Sequence, residues 1–196
     1  MAELKLINIQ IEHVGPVNLT VKSGEIACIS GASGAGKSLL LRAIVDVLPH
    51  EGEVQLDGMK ASETNPPVWR KTVGLLPAES QWWFETVGEH FQCKNNDLVA
   101  RLGFTKDTWS WSIARCSTGE KQRLALLRLL CNQPSALLLD EPTGSLDPKN
   151  TTMVESIVSE YASEKQIPVI WVSHSEEQIK RICSQHYKIE EGKLLP

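Results

Sequence analysis

The chain has 196 residues, enough for one domain with a real hydrophobic core and too few for two of ordinary size. Apolar residues make up 41 % and charged residues 22 %, the balance of a soluble globular protein, and a net charge of −4 gives no electrostatic reason to expect a nucleic-acid partner. The longest apolar runs, such as residues 136–139, fall far short of the roughly 18 a membrane span needs. No signal peptide is expected either, because residues 1–11 lack a basic flank leading into an apolar stretch.

In chain order, residues 4–11 alternate apolar and polar side chains, as a half-buried strand does. Residues 25–30 form a short buried strand that runs into a glycine-rich segment. Residues 38–48 read as a leucine-rich helix stopped by Pro49. Strands are expected at 52–58 and 72–76. Residues 78–115 change character: they hold Trp82, Trp83, Trp109 and Trp111, show weak periodicity, and read as a small, mostly helical insertion. Helix returns at 119–131, and residues 136–139 form a fully apolar strand. Over 151–162, Met153, Val154, Ile157, Val158 and Tyr161 fall on one helical face. A buried strand at 169–173, a short helix at 176–183, a strand at 187–189 and a turn at Gly192 complete the pattern. Alternating strands and helices predict an α/β fold with a mainly parallel sheet. One domain is expected over 1–196, with its core in 1–77 and 116–196 and the insertion at 78–115.

Gly31-Ala32-Ser33-Gly34-Ala35-Gly36-Lys37-Ser38 fits GxxxxGK[ST], the P-loop pattern. The glycines let successive backbone N–H groups turn inward onto phosphate oxygens, and the following helix aims its positive end at the same anion. Lys37 then bridges the β- and γ-phosphates and Ser38 ligates Mg²⁺. Leu39 stands where a threonine often does, but the metal ligand is position 38. Asp140 and Glu141 follow the apolar strand at 136–139. A strand rising beside the P-loop strand would carry Asp140 to the magnesium shell and leave Glu141 to orient or deprotonate the attacking water.

Cys116-Ser117-Thr118-Gly119-Glu120-Lys121-Gln122-Arg123 is a Ser/Gly turn opening a helix, a second anion site, and also a capping box from Ser117 to Glu120. It resembles the LSGGQ signature of ATP-binding cassette proteins, with Cys for Leu, Thr for the first Gly and Glu for Gln. Ser145-Leu146-Asp147 is similar to that family's D-loop, and Ser173-His174 to its switch. The motifs run in family order from 25 to 192. The resemblance implies the P-loop ATPase fold of that family, with an antiparallel β part near the N-terminus. Residues 31–39 and 117–120 would then bind ATP, with Ser38 and Asp140 on Mg²⁺ and Lys37, Glu141 and His174 as the catalytic groups. It also implies a head-to-tail homodimer in which Ser117, Thr118, Gly119 and Glu120 complete the partner's γ-phosphate site.

The chain departs from the family at two places. Where the family has a Gln after a strand and a Pro, this chain has Ala78 after Pro77; Glu79 or Gln81 can substitute, or a water. Where the family stacks adenine on an aromatic residue upstream of the P-loop, no Phe, Tyr or Trp precedes Trp69, so His13 or an aliphatic neighbour in 11–14 must serve. Weak selectivity between ATP and other nucleotides follows. The remaining histidines, His50, His90 and His186, have no site context and read with His13 as surface or packing residues. Cys28, Cys93, Cys116, Cys131 and Cys183 are odd in number and lack CxxC spacing, which suggests free thiols in a reducing compartment.

Trp82, Trp83 and Phe84 cannot all face one core, so part of this stretch is expected to line a groove. In the family that region receives a short helix from a membrane subunit. The leading expectation is therefore an ATP-hydrolysing subunit of a transporter, cytoplasmic and held on the inner face of the membrane by a separate integral-membrane permease. Its compact size and C-terminal half resemble the small ATPase subunits of iron- or metal-efflux systems. The alternatives are a soluble ATPase unconnected with transport, or a nucleotide-binding module with little turnover.

Overall fold

The computed structural model describes residues 3–196. Two antiparallel strands open the chain, β1 (Glu3–Ile11) and β2 (Val14–Lys22), followed by β3 (Ile26–Gly31) and α1 (Lys37–Ile44). Next come β4 (Glu51–Leu56), β5 (Met59–Lys60), α2 (Pro66–Thr72) and β6 (Val73–Leu76). The segment at 78–115 contains three short 3-10 turns and one six-residue helix, α3 (Asn96–Arg101). The remainder is α4 (Thr118–Cys131), β7 (Ala136–Asp140), α5 (Pro148–Lys165), β8 (Val169–Val172), α6 (Glu176–Ile182), β9 (Gln185–Glu190) and β10 (Lys193–Leu195).

The strands form two sheets. One is antiparallel and four-stranded, in the order β2-β1-β4-β5; the other is six-stranded, in the order β10-β9-β3-β8-β7-β6. In the larger sheet β9, β3, β8, β7 and β6 are parallel, and only β10 returns antiparallel. Parallel strands need both faces covered, and the sequence supplies this by making β7 and β8 apolar on both sides. Alternate residues divide between two cores. Ala27, Ile29, Leu138, Ile170 and Val172 face the antiparallel sheet and α1. Cys28, Leu137, Leu139, Val169 and Trp171 face the side on which α4 and α5 pack.

Two strand arrangements differ from the sequence expectation. The Asp140 strand does not lie beside the P-loop strand, because β8 pairs with both β3 and β7 and so separates them. The reason is topological: the switch strand must reach the same sheet end, and the middle position gives it two parallel neighbours. Cys28 and Cys183, expected as free thiols, are joined as a disulfide with Cα atoms 5.8 Å apart, while Cys93, Cys116 and Cys131 are free. The pairing escapes a spacing rule because 155 residues separate the two positions. No helix among the described residues is long and apolar enough to cross a membrane.

Candidate functional site

The C-terminal ends of β3, β8 and β7 lie side by side, with Ile29 opposite Val172 and Val172 opposite Asp140. Ligands of open α/β sheets bind at this end of the strands. Here it gathers the glycine-rich loop after β3, Asp140–Glu141 at the end of β7 and Ser173–His174 after β8. The loops after β3 and β7, more than 100 residues apart in sequence, thus meet at one end of the sheet on either side of β8.

The loop's shape follows from its glycines. Gly34 has φ +79° and Gly36 φ +97°, left-handed values that L side chains rarely adopt. At Gly36 a Cβ would also overlap Val14 Cγ2, so the loop must lie tight against the β1–β2 hairpin. Gly36 is the N-cap of α1, and no side chain caps that end. The first-turn N–H groups therefore remain available to an anion. Lys37 is buried, and its ammonium donates to the Gly31 carbonyl at 2.8 Å and the Ala32 carbonyl at 2.9 Å. Burial lowers its pKa, and the nearby Glu141 and Asp140 carboxylates pull it part of the way back.

A cavity of about 200 Å³ is lined by Ser33, Gly34, Gly36, Lys37, Ser38, Leu39, Glu141 and His174. Glu141 and His174 close one side of it, with Glu141 Oε1 2.8 Å from His174 Nε2. Glu141 has φ +48°, a left-handed value that turns the chain sharply at the end of β7. Its backbone N–H donates to the Val172 carbonyl at 3.2 Å, and Gly144 N–H donates back to the Glu141 carbonyl at 3.1 Å. A tight turn thus directs the carboxylate toward the loop rather than along the strand.

Asp140 is only 5 % exposed, and among the described residues no cation lies within ion-pair distance of it. A buried carboxylate without a cation is costly, whereas a hard divalent ion bound through this oxygen and a hydroxyl satisfies it. Ser38 lies in the first turn of α1 next to Lys37, on which the Asp140 charge acts, and a donor pair of hydroxyl and carboxylate oxygen suits Mg²⁺.

Ser117, Thr118, Gly119 and Glu120 stand elsewhere. Among the described residues they do not line the P-loop cavity. Ser117 caps α4: its Oγ accepts from Glu120 N–H at 3.2 Å, and Glu120 Oε2 accepts from Ser117 N–H at 2.8 Å. That backbone hydrogen bond holds the Glu120 carboxyl below the usual range. A Cβ on Gly119 would sit 3.2 Å from both Leu146 Cδ2 and the Ser145 carbonyl, so the 145–147 loop packs directly on the start of α4. Asp147 caps α5 through Asn150 N–H at 3.0 Å.

His13 is exposed on the β1–β2 turn, and a Cβ on Gly36 would lie 3.8 Å from its Nε2, so its ring borders the P-loop. Ala78 and Glu79 are exposed in an irregular segment after β6. Trp83 and Phe84 are exposed by 63 % and 49 %, whereas Trp82 is half-buried against the α4-side core. His90, expected to be unremarkable, organises this stretch. Its Nε2 accepts from the backbone N–H groups of Trp83 and Phe84, both at 3.0 Å, so the proton sits on Nδ1 and is donated to the Thr86 carbonyl at 2.9 Å. Arg128 of α4 stacks over Trp82 at 4.5 Å and Trp83 at 4.9 Å and donates to the Gln81 carbonyl at 3.2 Å. The sequence carried no signal for either residue, since their partners are backbone groups and ring faces brought together only by the fold.

A family profile described as ABC transporter matches residues 14–144. The probable iron export ATP-binding protein FetA of Escherichia coli (strain K12) is 31 % identical over 83 % of this chain and 78 % of its own length. The methionine import ATP-binding protein MetN of Haemophilus ducreyi is 33 % identical over 100 % of this chain, which spans 64 % of that relative. The phosphate import ATP-binding protein PstB of Aeropyrum pernix is 32 % identical over 91 % of this chain and 81 % of its own. Among solved structures, a bacterial Atm1-family ABC exporter with ATP bound superposes with a TM-score of 0.85 at 22 % identity, covering 99 % of this chain and 38 % of that one.

Proposed function

The chain belongs to the ABC transporter family, and from that premise we propose that it is an ATP-hydrolysing subunit that works as a head-to-tail homodimer with a separate membrane permease. The observation that carries the hydrolytic part is the Glu141–His174 contact of 2.8 Å at the wall of the P-loop cavity. A carboxylate held by an imidazole beside a phosphate cradle is placed to orient a water and accept its proton. Mg²⁺, held by Ser38 and Asp140, would neutralise charge on the β- and γ-phosphates. Residues 31–39 bind the phosphate chain, with Lys37 leaving its two loop carbonyls to meet the β- and γ-oxygens. Glu141 orients the attacking water, and His174 fixes Glu141 and contacts the γ-phosphate.

The dimer is supported by the position of the α4 N-terminus. A Ser/Gly-headed helix end outside the chain's own cavity suits the nucleotide of a second copy, and the 145–147 loop packed on Gly119 would border the same contact. The exposed pair Trp83 and Phe84, braced by Arg128 and His90 within the 78–115 insertion, suits a short apolar helix of the permease. Such a subunit would sit in the cytoplasm against the inner face of the membrane. The names of the relatives span export and import, and the cargo of this chain is left unassigned.

Glu141→Gln tests the reading directly. Removing the base should lower hydrolysis by about 10²- to 10⁴-fold while MgATP still binds, and gel filtration should show an ATP-stabilised dimer. Wild-type protein that binds MgATP without turnover, alone and with membranes, would instead identify a binding module.

A further inference from the structure

Gln178, on the first turn of α6, is 4 % exposed and makes more buried hydrogen bonds than any catalytic side chain. Its Oε1 accepts from Trp171 Nε1 at 3.3 Å and Ser173 Oγ at 2.7 Å. Its Nε2 donates to Thr143 Oγ1 at 2.9 Å and Glu155 Oε1 at 2.8 Å. The amide orientation is unambiguous, because an indole N–H can only donate and an ionised carboxylate can only accept. Glu155 is itself 4 % exposed and is gripped by Arg181 through two bonds of 2.7 Å. Burial alone would raise the Glu155 pKa, but the bonds from Arg181 and Gln178 outweigh it and hold the carboxyl below its usual range.

The position of this knot matters more than its size. Ser173 immediately precedes His174, and Thr143 lies two residues after Glu141. The β7–β8 ladder ends at Asp140 opposite Val172, with one more bond from Glu141 N–H to the Val172 carbonyl. Beyond that point no strand pairing sets the separation of the two chains. The Thr143–Gln178–Ser173 bridge spans the same gap as the Glu141–His174 contact and closes a ring with it. A cavity of about 360 Å³ lined by Glu141, Thr143, His174, Gln178 and Arg181 adjoins the bridge, so on that side packing adds little to it.

We propose that Gln178 is a positioning residue for hydrolysis: it fixes the spacing of the two loops that carry Glu141 and His174 and so holds that pair in contact. The proposal rests on the catalytic reading of the pair. It assigns Gln178 no contact with nucleotide, so ATP binding should not depend on it.

The test uses the full chain with Gln178→Leu, which keeps the volume and removes all four bonds. At saturating MgATP, kcat should fall by about 10- to 100-fold, the scale of a misplaced catalytic group, with KM for ATP within about twofold of wild type. In protein carrying isotope-labelled histidine, the His174 ring resonances should move toward those of Glu141→Ala, while His50 and His186 stay unchanged. The exchange variant Gln178→Glu with Glu155→Gln, which swaps amide and carboxylate across the knot, should restore part of kcat and return the His174 resonances toward wild type. Should Gln178→Leu unfold, this paired variant against Gln178→Glu alone gives the same comparison. Unchanged His174 resonances in a folded Gln178 variant overturn the proposal, as does a loss confined to KM. If wild-type protein shows no hydrolysis, the catalytic reading fails, and the His174 resonances still decide whether Gln178 holds the pair.

Discussion

Single residues at this site divide into those whose type declares their task and those whose neighbours do. Lys37, Ser38, Asp140, Glu141 and His174 are legible in sequence because each is tied to a motif, a strand end and a fixed spacing, and the fold brings Lys37, Ser38, Glu141 and His174 to one cavity. Glu155 and Gln178 are not legible. A glutamate within an amphipathic helix and a glutamine in a short one read as solvated surface, and the bonds that tie them to each other, to Arg181 and to Thr143 span 23 to 35 residues. Glu155 makes an expectation about acid stability. Its carboxyl is depressed in the folded chain, so the unfolded chain binds more protons in the interval below the ordinary glutamate range. The stabilisation is fully present above that range and is lost as pH falls through the depressed value. Glu155→Gln should therefore cost about 1–2 kcal/mol near neutrality, reduced from a fully buried pair because Arg181 is half exposed, and should flatten the acid limb of a urea-denaturation series against pH.

Elements are legible in the sequence where they are long and apolar, and obscured where a local irregularity hides the period. The pattern marks β1, β3, α4, β7, α5 and β8 within a few residues. It misses β2, which contains Gly15-Pro16, and α2, which opens on two consecutive prolines. Prolines serve as boundary signals in sequence, yet here one sits within a strand and two occupy the first turn of a helix, where a missing N–H costs nothing. The glycine-rich loop gives an element-scale test. Gly36→Ala meets both a left-handed φ and Val14, whereas a Cβ on Gly34 meets nothing within 4 Å. Thermal unfolding should show Gly36→Ala destabilised by about 2–3 kcal/mol and Gly34→Ala by about 1 kcal/mol. Equal losses would mean that the contact with the β1–β2 hairpin contributes little.

For the whole molecule, the arrangement that matters is the separation of the two helix N-termini to which the proposed function assigns phosphate. One heads α1 beside Glu141 and His174; the other heads α4 and, among the described residues, lines no part of the P-loop cavity. Under the proposed function a single chain holds two half-sites and no complete one. ATPase activity per chain should therefore rise with protein concentration until the dimer saturates, and constant specific activity over a hundredfold dilution would argue for a self-sufficient monomer.

The middle place of β8 in the larger sheet bears on how such a site keeps time. The strand carrying His174 is hydrogen-bonded to β3 on one edge and β7 on the other, and even Ser173 N–H is tied to the Ile29 carbonyl at 3.2 Å. A backbone shift there would break two ladders at once. What can move without breaking a ladder is the exposed imidazole, once its 2.8 Å contact with Glu141 is released. Rotation of an exposed side chain takes picoseconds to nanoseconds, far faster than the turnover of any ordinary enzyme. Under the proposed function, contact of His174 with a γ-phosphate would then need a side-chain rotation and the release of one bond to Glu141, and no rearrangement of the sheet.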